Sequence, residues 1–477
     1  MIFSKLMPVL WASTGFCLYA QERPNILLIN IDDYGWADMS SNGSSYYETP
    51  HIDRLRAQGV WMEEAYAGAA NSAPSRACLL TGMYTPRHGM YTVGEPNRGD
   101  ASKRRWVAIP NRTSLEEGIQ MLPRLLQEAG YETCHVGKWH VTADPLACGM
   151  DINIGGNHAG NPSTYFSPYA NPNLPDGPTG EYLTDRLTQE AIRYLKERDA
   201  DRPFFLYFAT YAVHTPLEAP AELVEKYRKK ASTEAHDNPV YAAMVENMDR
   251  NVGRLLDEIE RLGLAERTLI IFTSDNGGLY RVSRQWPLRA GKGSFYEGGI
   301  RVPLIIYQKG RFERQEIKHL PLQQLDLFPT LLEIAGIPRT GLCLDGVSLL
   351  PLLRGDTAAY VDRPLFWHFP AYLEGTPEET RETKSPYFRT CPVSVVRKGD
   401  WKLIENYEDG TFELYNIRRD ISEQDDLSAS QPDRLRELSS LLEAWKEAVQ
   451  APVPHQANPK NNGELTIDNG QLTIPRS

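Results

Sequence analysis

Cysteine is scarce in this chain of 477 residues, which contains six cysteines. A disulfide-stabilised scaffold needs a dense and even set, so the sequence excludes that class of protein. Cys17 lies in the apolar N-terminal stretch, which leaves an odd number for the rest of the chain. Cys134 and Cys148 could pair with each other, whereas Cys78 and the others are better interpreted as buried thiols.

Positive charge is also in short supply. Lys and Arg together number 51, against 62 for Asp and Glu, which gives a formal net charge of −11. A protein that binds nucleic acid needs a basic surface to neutralise phosphates, so we expect no nucleic-acid partner. A local cluster of Lys and Arg inside a cleft could still bind a small anion.

Long apolar runs are missing, since no internal stretch is long enough to span a bilayer. Residues 1–20 contain one Lys, an apolar middle and small residues near the end. This pattern predicts a signal peptide cleaved near Ala20–Gln21, rather than a buried N-terminal strand. Cys17 is a poor lipidation site because Phe16 precedes it. We therefore expect an exported protein, periplasmic or secreted, with no membrane insertion after cleavage.

The length suggests one large domain followed by a smaller one. Strands are predicted at 23–33, 60–67, up to 136, 203–211, 268–278 and 301–307. Helices are predicted at 49–60, 115–130, 182–197, 240–262 and 325–336. This alternation predicts an α/β fold, in which a large, mostly parallel or mixed sheet carries helices on both faces.

The alternation stops after about residue 355. Residues 395–416 form two strand-like runs joined by EDG, which predicts a hairpin, and 432–449 form an amphipathic helix. We therefore predict a smaller C-terminal α+β subdomain with an antiparallel sheet. The predicted divisions are a signal peptide at 1–20, a main domain at 21–358, the subdomain at 359–450 and a polar tail at 451–477.

Acidic and amide side chains follow two of the predicted strands. Asp32 and Asp33 end the first strand, and Asp275 and Asn276 end the strand that begins at 268. In open α/β sheets, ligand sites form at the carboxyl ends of the strands. Adjacent carboxylates repel, so a strand end holds both most readily around a hard cation, which prefers oxygen ligands. The alternative for the first pair is a helix-capping role.

The stretch 71–82, NSAPSRACLLTG, is a polar turn that runs into an apolar helical segment. Ser72 is predicted just ahead of the helix, where free backbone N–H groups and the helix dipole favour negative charge. Pro74 suits a first helical position, and Arg76 adds a fixed cation one turn from Ser72. The pattern offers a nucleophile, an anion-binding helix start and a guanidinium. An ordinary serine-capped helix is the alternative.

Three further segments carry candidate catalytic side chains. Lys138 and His140 lie two residues apart in GKWH, so on an extended segment they point the same way. His214 follows a buried strand. Lys292 lies among glycines, which allow a close approach to an anion. Taken alone, the first pair could be a solvated edge, and a lone histidine is usually structural.

Taken together, Ser72, Pro74, Arg76, Thr81 and Gly82 resemble the signature of the formylglycine-dependent sulfatase family of the alkaline-phosphatase superfamily. The paired aspartates, the Gly-Lys-x-His segment, the His-x-Pro segment and the second lysine segment follow in the family's order over nearly the whole mature chain. The resemblance implies that Ser72 is oxidised to formylglycine by an anaerobic-type maturase. The serine version is typical of bacteria. The resemblance also implies that 21–358 is the catalytic domain.

The resemblance also implies a role for each candidate. One calcium ion would be bound by Asp32, Asp33, Ser72 in its oxidised form, Asp275 and Asn276. Arg76 and His140 would orient and activate the aldehyde hydrate, one oxygen of which attacks sulfur while the other later expels sulfate. Lys138 and Lys292 would bind the sulfate oxygens. His214 would protonate the leaving oxygen.

An exported bacterial sulfatase meets sulfated carbohydrates, of glycosaminoglycan, mucin or algal type. The irregular segment 148–180 offers Tyr165, Phe166 and Tyr169 as a sugar-binding wall, or as side chains that pack the loop itself. Candidate sugar contacts are His88, Arg98, Arg104, Arg105, His158, His368 and Arg389. The alternatives are a phosphate mono- or diester hydrolase with unmodified Ser72, and a non-catalytic binder of sulfated glycans.

Overall fold

The computed structural model describes residues 23–461, 466–468 and 471–473. The predicted signal peptide at 1–20 lies outside them. The helices are α1 Pro50–Gln58, α2 Ser72–Thr81, α3 Thr85–His88, α4 Leu122–Glu128, α5 Leu183–Glu197, α6 Ala221–Lys229, α7 Pro239–Arg261, α8 Glu297–Ile300, α9 Leu327–Ile334, α10 Leu350–Leu353, α11 Pro377–Arg381 and α12 Pro432–Val449. None of the helices in the described ranges combines the length and hydrophobicity needed to cross a bilayer.

The first ten strands belong to the main part of the molecule. They are β1 Asn25–Ile31, β2 Val60–Met62, β3 Ala65–Tyr66, β4 Glu132–Gly137, β5 Ile152–Ile154, β6 Phe204–Ala209, β7 Thr268–Ser274, β8 Leu304–Tyr307, β9 Gln315–Ile317 and β10 Leu322–Gln323. Within the described residues, eight strands form one sheet in the order β5-β4-β6-β1-β7-β8-β2-β9. Strand β8 runs antiparallel to both of its neighbours, and the other pairs are parallel. The predicted mostly parallel or mixed sheet is therefore confirmed.

Helices cover both faces of this sheet because side chains alternate along each buried strand. On β1, Leu27 and Ile29 pack towards α1, α5, α6 and α7. Ile26 and Leu28 pack on the other face, towards α2, α4, α9 and α10. The predicted three-layer α/β architecture is therefore confirmed.

The later strands form the second part of the molecule. They are β11 Leu365–Phe369, β12 Leu373–Glu374, β13 Phe388–Thr390, β14 Val393–Lys398, β15 Trp401–Asn406, β16 Thr411–Asn416, β17 Thr466–Asp468 and β18 Gln471–Thr473. Strands β11, β14, β15 and β16 form an antiparallel sheet, as predicted. Leu438, Leu442 and Trp445 of α12 belong to the same apolar cluster as residues of this sheet.

Several boundaries differ from the predictions. Helix α4 begins at Leu122 rather than at 115, because Pro123 favours a first helical position and disfavours helix before it. The strand predicted at 60–67 divides into β2 and β3, which belong to different sheets. The predicted hairpin at 395–416 contains an extra turn, so it spans parts of three strands. Cys134 and Cys148 are both free thiols.

The start of the predicted tail is not detached from the protein. The Asn458 side chain donates to the carbonyl oxygens of Ala101 and Arg104, each at 2.8 Å. Strands β17 and β18 pair as a short antiparallel hairpin. Residues 456–461 therefore lie against the segment around residues 101–107.

A buried ion cluster joins the two parts of the molecule. Lys402 on β15 lies 3.1 Å from a Glu297 carboxylate oxygen and 2.8 Å from one of Glu423, and all three side chains are inaccessible to solvent. Burial raises the pKa of Glu423 to about 7. Glu297 also pairs with Arg301 at 3.4 Å, so Glu423 is the carboxylate that depends on Lys402 for compensation.

We expect Lys402→Met to lower the free energy of unfolding by about 3–5 kcal/mol, because it leaves the buried Glu423 carboxylate without its cation. Urea denaturation measures the change. Lys398→Met is the matched control, since Lys398 pairs with Glu437 at a solvent-accessible position and such pairs contribute about 1 kcal/mol or less. Equal effects of the two substitutions would contradict the prediction.

Candidate active site

Three strands of the large sheet direct polar residues to one place. Asp32 and Asp33 follow β1, Asp275 and Asn276 follow β7, and Lys138 follows β4. Strand β1 pairs with β7 directly, and it is linked to β4 through β6. Since parallel strands bring their carboxyl ends to the same edge, these side chains meet there.

The end of β4 requires glycine. Gly137 has φ of +104°, and a Cβ at this position would lie 2.0 Å from the carbonyl oxygen of Ala209. The backbone then turns, so that Lys138 and His140 lie beyond the strand rather than on one face of it. His140 has a positive φ of 69°. The side chains meet the site because of this turn, and not because of the strand alternation that we predicted.

The three carboxylates of the site are buried and linked. The Asn276 amide donates to Asp33 Oδ1 at 2.9 Å, and the Asp33 backbone N–H donates to Asp275 Oδ1 at 3.2 Å. Burial raises the pKa of Asp32 to about 7, although Lys138 opposes this shift. Burial also opposes ionisation of Asp33, but the charges of Lys292 and His214 lower its pKa overall.

Each carboxylate has its own cation. Lys138 Nζ lies 2.7 Å from Asp32 Oδ2, and Lys292 Nζ lies 2.7 Å from Asp33 Oδ1. The third pair joins Arg76 Nε to Asp275 Oδ2 at 2.9 Å. Arg76 and Lys138 are fully buried, whereas Lys292 is partly exposed. These six side chains are formally neutral together, so a bound divalent cation would give the site the net positive charge that an anionic substrate needs.

Ser72 is the first residue of α2 rather than a residue ahead of it, and Asn71 precedes it in an extended conformation. Pro74 accordingly lies within the first turn rather than at the first helical position. The Ser72 hydroxyl contacts Asp32 Oδ1 at 3.2 Å and Asn276 Oδ1 at 3.4 Å. Serine capping is therefore the wrong alternative, since this hydroxyl faces the carboxylate cluster.

Two of the catalytic candidates have a polar atom that is buried without a hydrogen-bond partner among the described residues. The atoms are Arg76 Nη2 and His140 Nδ1. Burial lowers the pKa of His140 well below its usual range, and the nearby charges of Lys138 and Arg76 lower it further. Buried polar atoms are normally paired, so these two are available to a ligand or to a modified Ser72.

His214 also lies close to Asp33. Its Nε2 is 3.7 Å from Asp33 Oδ2, and its Nδ1 is 2.8 Å from the carbonyl oxygen of Thr215. Burial and the charge of Lys292 lower the pKa of His214 to about 3. Its turn is fixed by Tyr165, whose hydroxyl donates to the His214 carbonyl at 2.9 Å.

Sequence reasoning missed this positioning contact, because residues 165 and 214 are 49 positions apart and no local pattern relates them. The aromatic wall suggested for the same loop is wrong in part. Tyr165 and Tyr169 are buried in the core, whereas Phe166 is partly buried. The alternative, a loop packed by its own side chains, fits the structure better.

Three candidate sugar contacts lie close to catalytic candidates or to one another. Arg389 Nη1 donates to the carbonyl oxygen of Lys292 at 3.2 Å, and Arg389 Nε donates to that of Glu374 at 3.2 Å. Arg98 binds the Glu374 carboxylate, with Nε 2.9 Å from Oε2. The His158 ring centroid is 6.2 Å from that of His140.

The other four candidates make structural contacts. Burial lowers the pKa of His88 to about 3, and its Nε2 lies 3.4 Å from Cys78 Sγ. His368 contacts Ser394 Oγ at 2.7 Å and the Pro452 carbonyl oxygen at 3.0 Å.

Arg104 donates to three successive carbonyl oxygens of residues 97–99. Arg105 donates to the Glu408 carbonyl oxygen at 2.8 Å and lies over the Trp106 ring. All four side chains therefore have partners within the protein, and none of them needs a ligand to explain its position.

Comparison with known proteins agrees with this arrangement. A family model described as Sulfatase matches residues 24–337, and one described as N-sulphoglucosamine sulphohydrolase, C-terminal, matches residues 291–448. A sulfatase of Formosa agariphila is 33% identical over 95% of this chain and 94% of its own length. The N-acetylgalactosamine-6-sulfatase of Homo sapiens is 33% identical over 73% of this chain and 69% of its own.

A solved structure, Ps i-CgsB in complex with k-i-k-neocarrahexaose, has a TM-score of 0.73 and 30% identity, and the match covers 89% of this chain and 93% of that one. Sequence relatives, family models and a solved structure thus agree over both parts of the molecule. The chain belongs to the sulfatase family and is a sulfuric ester hydrolase.

Proposed function

We propose that the protein hydrolyses sulfate esters of carbohydrates, using formylglycine made from Ser72 and one calcium ion. The observation that carries the proposal is the contact of the Ser72 hydroxyl with Asp32 and Asn276, inside a buried cluster of three carboxylates and three cations. The names of two relatives, an N-acetylgalactosamine-6-sulfatase and a structure in complex with a neocarrahexaose, support a sugar substrate.

The residues fit calcium. Asp32, Asp33, Asp275 and Asn276 offer only oxygen ligands, which this hard cation prefers. Burial raises the pKa of Asp32 to about 7 and so disfavours its ionised form, which a divalent cation bound beside it would favour. When bound, calcium would supply positive charge beside Ser72 and the substrate sulfate.

The surroundings of Ser72 fit an oxidised side chain. Formylglycine supplies a hydrated aldehyde, a nucleophile that is regenerated when sulfate leaves. Arg76 Nη2 and His140 Nδ1 are buried and unpaired among the described residues, and we assign them to orienting the second oxygen and handling its proton. Ser72 is only 1% exposed, so we expect an anaerobic-type maturase to act on the chain before it folds, in an exported bacterial protein.

The remaining groups divide between the sulfate and the leaving group. Lys138 pairs with Asp32 and Lys292 pairs with Asp33, and both lysines are assigned to the sulfate oxygens. His214 is assigned to protonating the leaving oxygen. Its low pKa in the free site rises when an anionic sulfate binds next to it, because a nearby negative charge favours the imidazolium.

Mass spectrometry of the peptide that spans Ser72 tests the proposal, since formylglycine is about 2 Da lighter than serine. The oxidised protein should release sulfate from oligosaccharides of chondroitin 6-sulfate or carrageenan, and should be far less active on 4-nitrophenyl phosphate. An unmodified Ser72 in a protein that hydrolyses the phosphate ester would overturn the proposal in favour of a phosphate ester hydrolase. Binding without any turnover would favour the glycan binder.

Added calcium should raise the thermal unfolding midpoint of the wild-type protein. Binding to the native state stabilises it by about 2.7 kcal/mol at a hundredfold excess over Kd. Asp275→Ala should lose this response, because Asp275 belongs to the proposed ligand set. Differential scanning fluorimetry measures both.

The control for this prediction is a second acidic cluster. Glu63, Glu64 and His319 also bring possible ligand atoms within 4.8 Å of one another, so Glu63→Ala removes a carboxylate from an acidic cluster outside the site. It should keep the full calcium response. The absence of any shift in the wild type, or a full shift in Asp275→Ala, would contradict the calcium assignment.

A further inference from the structure

The segment between Asn276 and Lys292 leaves the site and returns to it. The Lys292 backbone N–H donates to the Gly278 carbonyl oxygen at 2.8 Å, which closes the segment at its base. Within it, Arg281, Arg284 and Trp286 are exposed. We call residues 279–291 the rim segment. Both of its ends are therefore attached to residues of the site.

Trp286 is the most unusual side chain of the rim segment. It is 69% exposed, the largest value among the exposed large hydrophobic residues of the described chain. A single exposed apolar side chain is not a binding site by itself, but Trp286 also lines a cavity. Indole offers a flat apolar face and a polar edge, which suits a ligand with both apolar C–H groups and hydroxyls.

A cavity of about 470 Å³ lies beside this indole. The walls opposite the ring are held in place, since the Tyr280 hydroxyl donates to Glu382 Oε1 at 2.8 Å and Arg289 Nε donates to the Glu382 carbonyl at 2.7 Å. The volume is in the usual range for small-ligand pockets, which is about 300–1,000 Å³. Arg284 also contributes to the lining, so the cavity combines one aromatic face with polar groups.

Arg281 supplies a free charge near Arg389, whose Nη1 donates to the Lys292 carbonyl oxygen. Burial lowers the pKa of Arg389, and the nearby charges of Arg98 and Arg281 contribute to the same shift, so the three guanidinium groups are neighbours. Arg98 is paired with Glu374, and Arg389 lies 3.3 Å from Glu379. Arg281 has no ion pair or hydrogen bond within the described part of the chain. An unpaired guanidinium is suited to a carboxylate or sulfate group.

We infer that Arg281 and Trp286 form an extension subsite, which binds a further sugar of an anionic oligosaccharide whose sulfated sugar occupies the catalytic site. Trp286 stacks on the ring of that sugar, and Arg281 binds an anionic group on the chain between it and the scissile ester. This inference rests on the proposed function. It makes the preferred substrate a chain of several sugars with more than one negative charge, rather than a sulfated monosaccharide.

Comparison of substrates of different length tests the subsite. The probes are the di- and hexasaccharides of chondroitin 6-sulfate and of carrageenan, with 4-nitrophenyl sulfate as a substrate that cannot reach it. For the wild type with oxidised Ser72, kcat/KM on the hexasaccharide should exceed that on the disaccharide. Trp286→Ala should lower the hexasaccharide value about tenfold, the scale expected for loss of one stacking contact, and leave 4-nitrophenyl sulfate unchanged.

Three further variants complete the experiment. Trp286→Phe should restore most of the preference for the longer chain, because it keeps an aromatic face. Arg281→Ala should lower kcat/KM on the hexasaccharide and weaken the dependence of KM on salt. Val361→Ala, at a hydrophobic residue that is 49% exposed and lies outside the rim segment, should change none of these values.

Failure of the extension subsite and failure of the proposed function give different results. If Trp286→Ala leaves the ratio of hexasaccharide to disaccharide unchanged, or lowers activity equally on 4-nitrophenyl sulfate, the extension subsite is wrong and the proposed function stands. If the wild type with formylglycine releases no sulfate from any of these substrates, the proposed function fails and this inference fails with it.

Discussion

Replacing Ser72 with alanine is expected to abolish sulfate release, lowering kcat by roughly 10⁴-fold or more, the scale expected when a nucleophile is removed. Alanine cannot be oxidised to an aldehyde, so no nucleophile can be formed at the start of α2. The fold should survive, because the two contacts of the Ser72 hydroxyl are long, at 3.2 and 3.4 Å. Binding of a sulfated oligosaccharide should also remain, since Lys138 and Lys292 are unchanged.

The measurement is sulfate release under single-turnover and steady-state conditions, with thermal unfolding and saccharide binding measured on the same sample. Ser44→Ala is the matched control. Ser44 is also buried and bonded, with Oγ 3.0 Å from His236 Nδ1, but it lies outside the site, so its loss should reduce stability and leave kcat nearly unchanged. Substantial sulfatase activity in Ser72→Ala would remove Ser72 from the mechanism.

His214→Ala should lose far more activity on a sulfated sugar than on 4-nitrophenyl sulfate. A sugar alkoxide is a poor leaving group and needs a proton, whereas nitrophenolate leaves without one. The difference should be about a hundredfold or more, the usual contribution of a general acid. Because the acid form is required, the rate on the sugar should fall as pH rises through the pKa of His214 in the substrate complex.

Lys292→Ala provides the comparison, because Lys292 is assigned to the sulfate group that both substrates share. It should lower kcat/KM on the two substrates by similar factors. Values of kcat/KM for both variants on both substrates separate the roles. Equal losses for His214→Ala would exclude it as the acid and make His140 the candidate.

The fold was largely predictable because its strands are continuous apolar runs and its helices are amphipathic, patterns that depend only on local sequence. The meeting of Asp32 with Asp275 could also be foreseen, since both follow parallel strands and such ends share one edge. Their pairing with individual cations could not, because Lys138 reaches Asp32 only through the turn at Gly137, whose φ depends on the close approach of Ala209.

The sugar contacts show the limit of sequence reasoning more clearly. His88 and His368 have the residue type of a ligand-binding side chain, yet both are buried, and His368 contacts Pro452, which is distant in sequence. Burial of this kind is decided by tertiary packing, which no local pattern encodes. Trp286 was overlooked for the opposite reason, since an apolar residue in a polar segment gives no sign of whether it is buried or exposed.

The position of Lys292 has a consequence for how the protein can be divided. Its carbonyl oxygen accepts from Arg389, and the Gly293 carbonyl oxygen accepts from Thr390, so the lysine that we assign to sulfate is held by β13 in the second part of the molecule. A gene truncated after codon 358 would encode all the charged residues of the catalytic cluster but not the scaffold that fixes one of them. The two parts therefore function as one unit. When homologous genes recombine, we expect activity to be kept only if the coding regions of both parts are exchanged together.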